Sequence, residues 1–250
     1  MKTPYIGITG FMTRDEVLHV LKVIPENTGR LIMVGVLASQ KTIQGIPNGR
    51  PNRYPAALKI SDIFPNDPRV INLIHYNTKE HDTLGYQLLA ITELGGDNLH
   101  GLQLNIAWPS PDVLKAYKKV QQTKQIVLQV GGRAFKMIDD SPKRLAAKVA
   151  EYEGIIDYAL LDPSGGEGKP LDPQRIREYL YTLQAKNLNI GLGTAGGLSP
   201  TTLGLIEPLV KEFPNLSIDA EGLIRTPEDH LDLNLASEYP RKTLLMFNKK

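Results

Sequence analysis

None of the 250 residues is cysteine, which excludes disulfides, thiolate metal ligands and thiol nucleophiles together. No apolar stretch approaches the length of a membrane span, and Met1-Lys2-Thr3-Pro4 leads into a short apolar run without the hydrophobic region of a secretory leader. The expectation is a soluble cytoplasmic protein with no membrane contact. An excess of one charge is also missing: 29 Lys and Arg stand against 27 Asp and Glu, and the basic residues are scattered. Without a basic stripe to follow a phosphate backbone, nucleic acid is not an expected partner. No second histidine or carboxylate stands at metal-ligand spacing, so neither a metal nor another cofactor is expected. The remaining composition, 41% hydrophobic and 22% charged, is that of a globular chain able to bury a large core.

What the chain does contain is a recurring pair of a small capping residue followed by proline: Ser110-Pro111, Ser141-Pro142, Asp172-Pro173, Ser199-Pro200 and Thr226-Pro227. Each reads as a helix start. The first side chain accepts a hydrogen bond from a free N–H of the opening turn, and proline at the next position loses only an N–H that had no partner. The pairs recur roughly every thirty residues, the length of one βα unit. Short apolar runs precede them at 99–104, 125–130, 158–161, 189–192 and 216–218, and read as buried parallel strands. Further runs at 5–9, 31–37 and 69–76 supply the N-terminal half. Thr13-Arg14-Asp15-Glu16 is a capping box, followed by Val17, Val20, Leu21 and Ile24 on one helical face. With no linker or composition shift, these units predict a single domain over 1–250, a (β/α)8 TIM barrel. The polar segment 38–55, with three prolines, breaks the regular spacing; it is read either as a lid over the mouth or as a surface insertion.

In such a barrel the C-terminal strand ends and the loops after them form the active face. Asp162 closes the run Leu160-Leu161-Asp162 and precedes Pro163-Ser164-Gly165-Gly166-Glu167-Gly168-Lys169. It is the candidate general base; alternatively it bonds the N–H groups of its own loop. Gly166 and Gly168 let backbone N–H groups approach an anion, but Pro163 and Pro170 stand where a nucleotide P-loop needs glycine and a hydroxyl residue. Gln103 and Asn105 share one face of the fourth strand and either contact a ligand or satisfy each other. His75, with Tyr76 and Asn77 at the end of the third strand, is a candidate acid or ligand contact, or else a bonded core histidine. His19 and His100 fall away from the mouth and read as structural. Gly191-Leu192-Gly193-Thr194-Ala195-Gly196 matches G-x-G-x-x-G, and Asp219 ends the next strand. A nicotinamide-dependent oxidoreductase is therefore a third reading, against which stands the short chain left after Asp219.

Three of these stretches, 160–169, Ala195-Gly196-Gly197-Leu198-Ser199-Pro200 and Leu102-Gln103-Leu104, resemble phosphoribosylanthranilate isomerase, a (β/α)8 enzyme that performs an Amadori rearrangement. The resemblance implies Asp162 as general base, with Gly196, Gly197 and the turn at Gly222 near a substrate phosphate. Arg53-Tyr54 is similar to the family's Arg-Tyr after the second strand, whose arginine holds a substrate carboxylate. Two departures accompany the likeness. The family's acid is the cysteine of a first-strand Cys-Gly-Ile-Thr motif, which best matches Ile6-Gly7-Ile8-Thr9, and Ile6 cannot donate a proton. Asp219-Ala220-Glu221-Gly222 replaces a hydroxyl-rich phosphate turn, so Glu221 either repels a phosphate, points away, or is itself the new acid opposite Asp162. Two main expectations follow: an enzyme acting on a small phosphorylated, sugar-like metabolite, or a non-catalytic barrel that binds one.

Overall fold

Alternation along a strand sends successive side chains to opposite faces, and in this chain both faces find apolar partners. In the computed structural model, which describes residues 2–163 and 170–248, the strands are β1 (Tyr5–Thr9), β2 (Leu31–Ser39), β3 (Val70–Asn77), β4 (Gly101–Leu104), β5 (Gln125–Gly131), β6 (Tyr158–Asp162), β7 (Gly191–Ala195) and β8 (Ser217–Ala220). They run parallel in sequential order, and β8 pairs back onto β1 to close the barrel. Outward residues such as Ile6, Ile8, Val34, Ile74, Leu102 and Leu128 join the surrounding helices in the main apolar cluster. Inward residues Tyr5, Met33, Ile71, Val127, Tyr158 and Leu160 form a second cluster that plugs the barrel interior. Toward the C-terminal ends the inward positions turn polar: Thr9, His75, Gln103, Gln129, Asp162 and Asp219 are all buried.

Local signals behave as expected where nothing competes with them. Ser110, Ser141 and Asp172 cap helices Pro111–Val120, Pro142–Ala150 and Pro173–Gln184, each with proline in the first turn. Thr13 and Glu16 form the capping box of helix Arg14–Leu21. Such a cap contributes on the order of 1 kcal/mol.

The other two pairs do not start helices. Ser199 Oγ lies 3.0 and 3.1 Å from the hydroxyls of Thr201 and Thr202, and the chain turns before a short helix at Glu207–Val210. Thr226-Pro227 sits in a turn closed by the bridge between Arg225 and Leu231. The last helix, Leu233–Asn248, begins after Asp232, whose carboxylate accepts from the N–H groups of Asn234 and Leu235. A hydroxyl before proline favours turns as much as helix starts, and here the turn is used.

β7 also corrects the expected run at 189–192, since it covers Gly191–Ala195. Its glycines answer to packing. A Cβ on Gly191 would lie 2.2 Å from the ring of Tyr158, its register partner, and one on Gly193 would lie 3.0 Å from Leu160. Large inward residues on β6 therefore require small ones on β7. The G-x-G-x-x-G pattern is a strand up to Ala195, not a phosphate turn between strand and helix, and the oxidoreductase reading loses the feature that motivated it.

The segment 38–55 is a strap. β2 runs on to Ser39, a short helix Gln40–Ile43 follows, and the polar remainder reaches the loop after β8. There Asn52 Nδ2 donates to the Glu228 carbonyl at 2.9 Å, and Arg225 donates to the Asn52 carbonyl at 2.7 Å. The two histidines read as structural lie off the mouth. His19 is exposed on the first helix, and His100 Nδ1 accepts the Asn72 N–H at 2.9 Å.

Candidate active site

The floor of the mouth is a hydrogen-bonded chain of inward side chains. Thr9, the last residue of β1, donates from Oγ1 to Asp219 Oδ1 at 3.1 Å. Gln103 Nε2 donates to Asp219 Oδ2 at 3.0 Å and to Gln129 Oε1 at 3.1 Å. Gln129 Nε2 then donates to Asp162 Oδ2 at 3.0 Å. Five strands thus position two carboxylates through two amides. Each amide donor stops a buried oxygen from being left unpaired, a loss of about 1–3 kcal/mol per group.

Two glycines make room for this floor. Gly7 pairs with Asp219 in the β1–β8 register, and a Cβ there would meet Asp219 Oδ1 at 2.6 Å and Met33 Cε at 2.7 Å. A Cβ on Gly35 would meet Thr9 Oγ1 at 2.6 Å. Gly7→Ala is expected to cost about 1–3 kcal/mol through overpacking, read as a lower urea midpoint. A midpoint equal to wild type would show that the floor yields to the methyl group.

Burial is the main reason that the Asp219 carboxyl is pushed up to about 7; Glu221 and Asp162 add to the rise, while hydrogen bonds from Gln103 and Thr9 oppose it. Asp219 thus exchanges a proton near neutral pH, the condition for efficient general acid catalysis.

Above the floor lies a cavity of about 280 Å³ to which both aspartates contribute. One wall is Ala195-Gly196-Gly197-Leu198, where Gly196 (φ 119°) and Gly197 (φ 60°) adopt backbone angles that side chains disfavour. Across the mouth, Tyr54 accepts from Asn77 Nδ2 at 3.1 Å, and His75 lies inward on β3. Burial holds the His75 imidazole below its ordinary pKa, so the ring is neutral at pH 7.

The rim carries the charges. Arg53 binds Glu221 at 2.7 Å and Asp229 at 2.6 Å, with only 14% of its side chain exposed. Glu221 is therefore an ion-paired partner of the strap, and its repulsion toward an anion is offset by the adjacent guanidinium. Arg53 is correspondingly occupied by two carboxylates. Arg50 also lines the cavity; it is exposed and makes no ion pair among the described residues.

Of the remaining residues expected at the site, Asn105 and Gly222 line the mouth. Gln103 is fully buried and holds Asp219 and Gln129. Gly166 and Gly168 lie outside the described residues.

Ile6 faces away from the mouth, within the apolar cluster beneath the helices, so the first-strand motif matched at Ile6 is out of register with the site. The inward residue at the end of β1 is Thr9, followed by Gly10 at φ 107°, so a Cys-Gly pair at the mouth would coincide with Thr9-Gly10. Sequence reasoning missed the parts played by Thr9, Gln129 and Asp219. The available signal was alternation: Gln129 stands two residues after Val127 on β5, and Asp219 two after Ser217 on β8, so each pair shares a face.

No protein-family model matches this chain, and no curated protein matches it in sequence. Its structure is similar to that of the phosphoribosyl anthranilate isomerase from Thermus thermophilus, with a TM-score of 0.64 and 16% identity over 96% of this chain and 99% of that one. The enzyme of the same name from Thermococcus kodakaraensis gives 0.62 and 16% over 99% and 100%, and that from Thermotoga maritima gives 0.60 and 16% over 95% and 97%. The chain has a barrel like that of these isomerases and spans nearly all of theirs, and at such identity the likeness is one of fold.

Proposed function

We propose that the protein is an acid–base isomerase acting on a small phosphorylated, sugar-like metabolite, with Asp162 as base and Asp219 as acid. The observation that carries this reading is the buried Asp219 carboxyl, poised near neutral pH and joined to Asp162 through Gln103 and Gln129. In an N-substituted aldosylamine, Asp219 gives its proton to the ring oxygen as the C1–O bond breaks, leaving an iminium. Asp162 then removes the proton from C2, and the electron pair moves into a C1–C2 double bond as the iminium becomes an amine. Ketonisation places a proton on C1, so C2 is oxidised, C1 is reduced, and no external oxidant is needed. Asp219 supplies the proton donor that Thr9, the inward residue at the end of β1, does not provide. Gly196, Gly197 and Gly222 offer backbone around the cavity, and Arg50 supplies a charge for the anionic end.

The test is turnover of N-aryl pentosylamine 5-phosphates in D2O, followed by NMR. Loss of the C2 proton with solvent deuterium at C1 of the product is the expected result. Binding without any turnover would favour the non-catalytic barrel, and absence of both would sink the phosphorylated-ligand reading.

A further inference from the structure

The proposed reaction leaves a buried histidine at the mouth unused. His75 is 3% exposed and lines the cavity, yet among the described residues neither Nδ1 nor Nε2 has a hydrogen-bond partner. Leaving such groups unpaired is costly, and native interiors rarely do so without a ligand or water to complete them. On β4, Gln103 is the register partner of His75, and its Oε1 is also buried without a partner among the described residues. Leu37, the register partner on β2, is apolar. Tyr54 and Asn77, the polar side chains above, are bonded to each other.

We infer that His75, with Gln103 beside it, is the specificity-determining residue that receives an uncharged hydroxyl of the ligand. This deepens the proposed function and rests on that reading for its phosphorylated probe. A neutral imidazole presents one N–H donor and one acceptor nitrogen, and Gln103 Oε1 is an acceptor. A hydroxyl both donates and accepts, so it complements either tautomer. An ether or carbonyl satisfies only the donor, and an ammonium only the acceptors. A second anionic group is disfavoured there, because the Asp162 carboxylate acts electrostatically on the ring. The ligand chemistry is thus a polyol or sugar chain, anionic at one end and hydroxylated where it meets β3.

Calorimetry with ribitol 5-phosphate and with n-pentyl phosphate, equal in chain length but without hydroxyls, tests the assignment. Wild type is expected to prefer ribitol 5-phosphate. H75F should weaken that ligand about tenfold and leave pentyl phosphate within twofold, while H75Q, which keeps a donor and an acceptor, recovers most of the loss. Equal losses on both ligands, or none on either, would overturn the role of His75 and leave the isomerase reading standing. If neither phosphate binds wild type, unphosphorylated ribitol is titrated at high concentration against the 15N resonances of the His75 ring. A shift present in wild type would support the hydroxyl contact and remove the phosphorylated-ligand reading; no shift would overturn both.

Discussion

Asp162→Asn is expected to lower turnover by about 10²- to 10⁴-fold while ligand affinity stays within a few-fold. The substitution keeps an oxygen able to accept from Gln129 Nε2, the donor now 3.0 Å from Oδ2, so that contact is retained. It removes the capacity to take a proton, because an amide oxygen is not basic enough to hold one near neutral pH. A group that removes a proton in the transition state affects kcat, whereas a group that only grips the ligand affects binding. Kinetics paired with calorimetry separates these outcomes. Turnover at the wild-type rate would exclude Asp162 as the base, and loss of binding alongside turnover would mark it as a positioning group for its loop.

The second large effect concerns pH. The Asp219 carboxyl rises from 3.8 to about 7 in the folded protein, so between these values the native state binds a proton that the unfolded chain has released. Stability is therefore expected to fall as pH rises through this window: the contribution is fully present below about 4 and lost above about 7. The change amounts to roughly 4 kcal/mol at most. Asp219→Asn carries no charge at any pH and should flatten this slope, as read from urea midpoints at pH 5 and pH 8. Equal slopes in wild type and variant would refute a neutral buried carboxyl. The same proton governs the proposed catalysis. Wild-type turnover should decline as pH rises through about 7, and Asp219→Asn should lower turnover and remove that limb of the profile.

Much of the fold was legible locally. Caps at Thr13, Ser110, Ser141 and Asp172 need only the next few residues to act, and apolar runs at strand spacing report burial wherever they occur. Ser199 and Thr226 carry the same signal and form turns, because a hydroxyl before proline is compatible with either conformation until neighbouring segments select one. Gly191 and Gly193 read as a phosphate turn because sequence shows the absence of a side chain without the ring of Tyr158 and the side chain of Leu160 that fill the space. Ile6 was the converse error: a motif match placed a residue at the mouth, and the parity of β1 turned it toward the helices.

The sequence by itself determined a barrel of eight units and pointed to Asp162 and the glycines after β7, because periodicity, capping and strand-end position are written in adjacent residues. Only the tertiary structure decided what those groups work with. Asp219 joins Asp162 through amides from two other strands, and Arg53 finds Glu221 across 168 residues of chain. Closure of the barrel brings these side chains together and removes water from them. A carboxyl's proton affinity depends on that burial and on the charges around it, neither of which is a property of its neighbours in sequence.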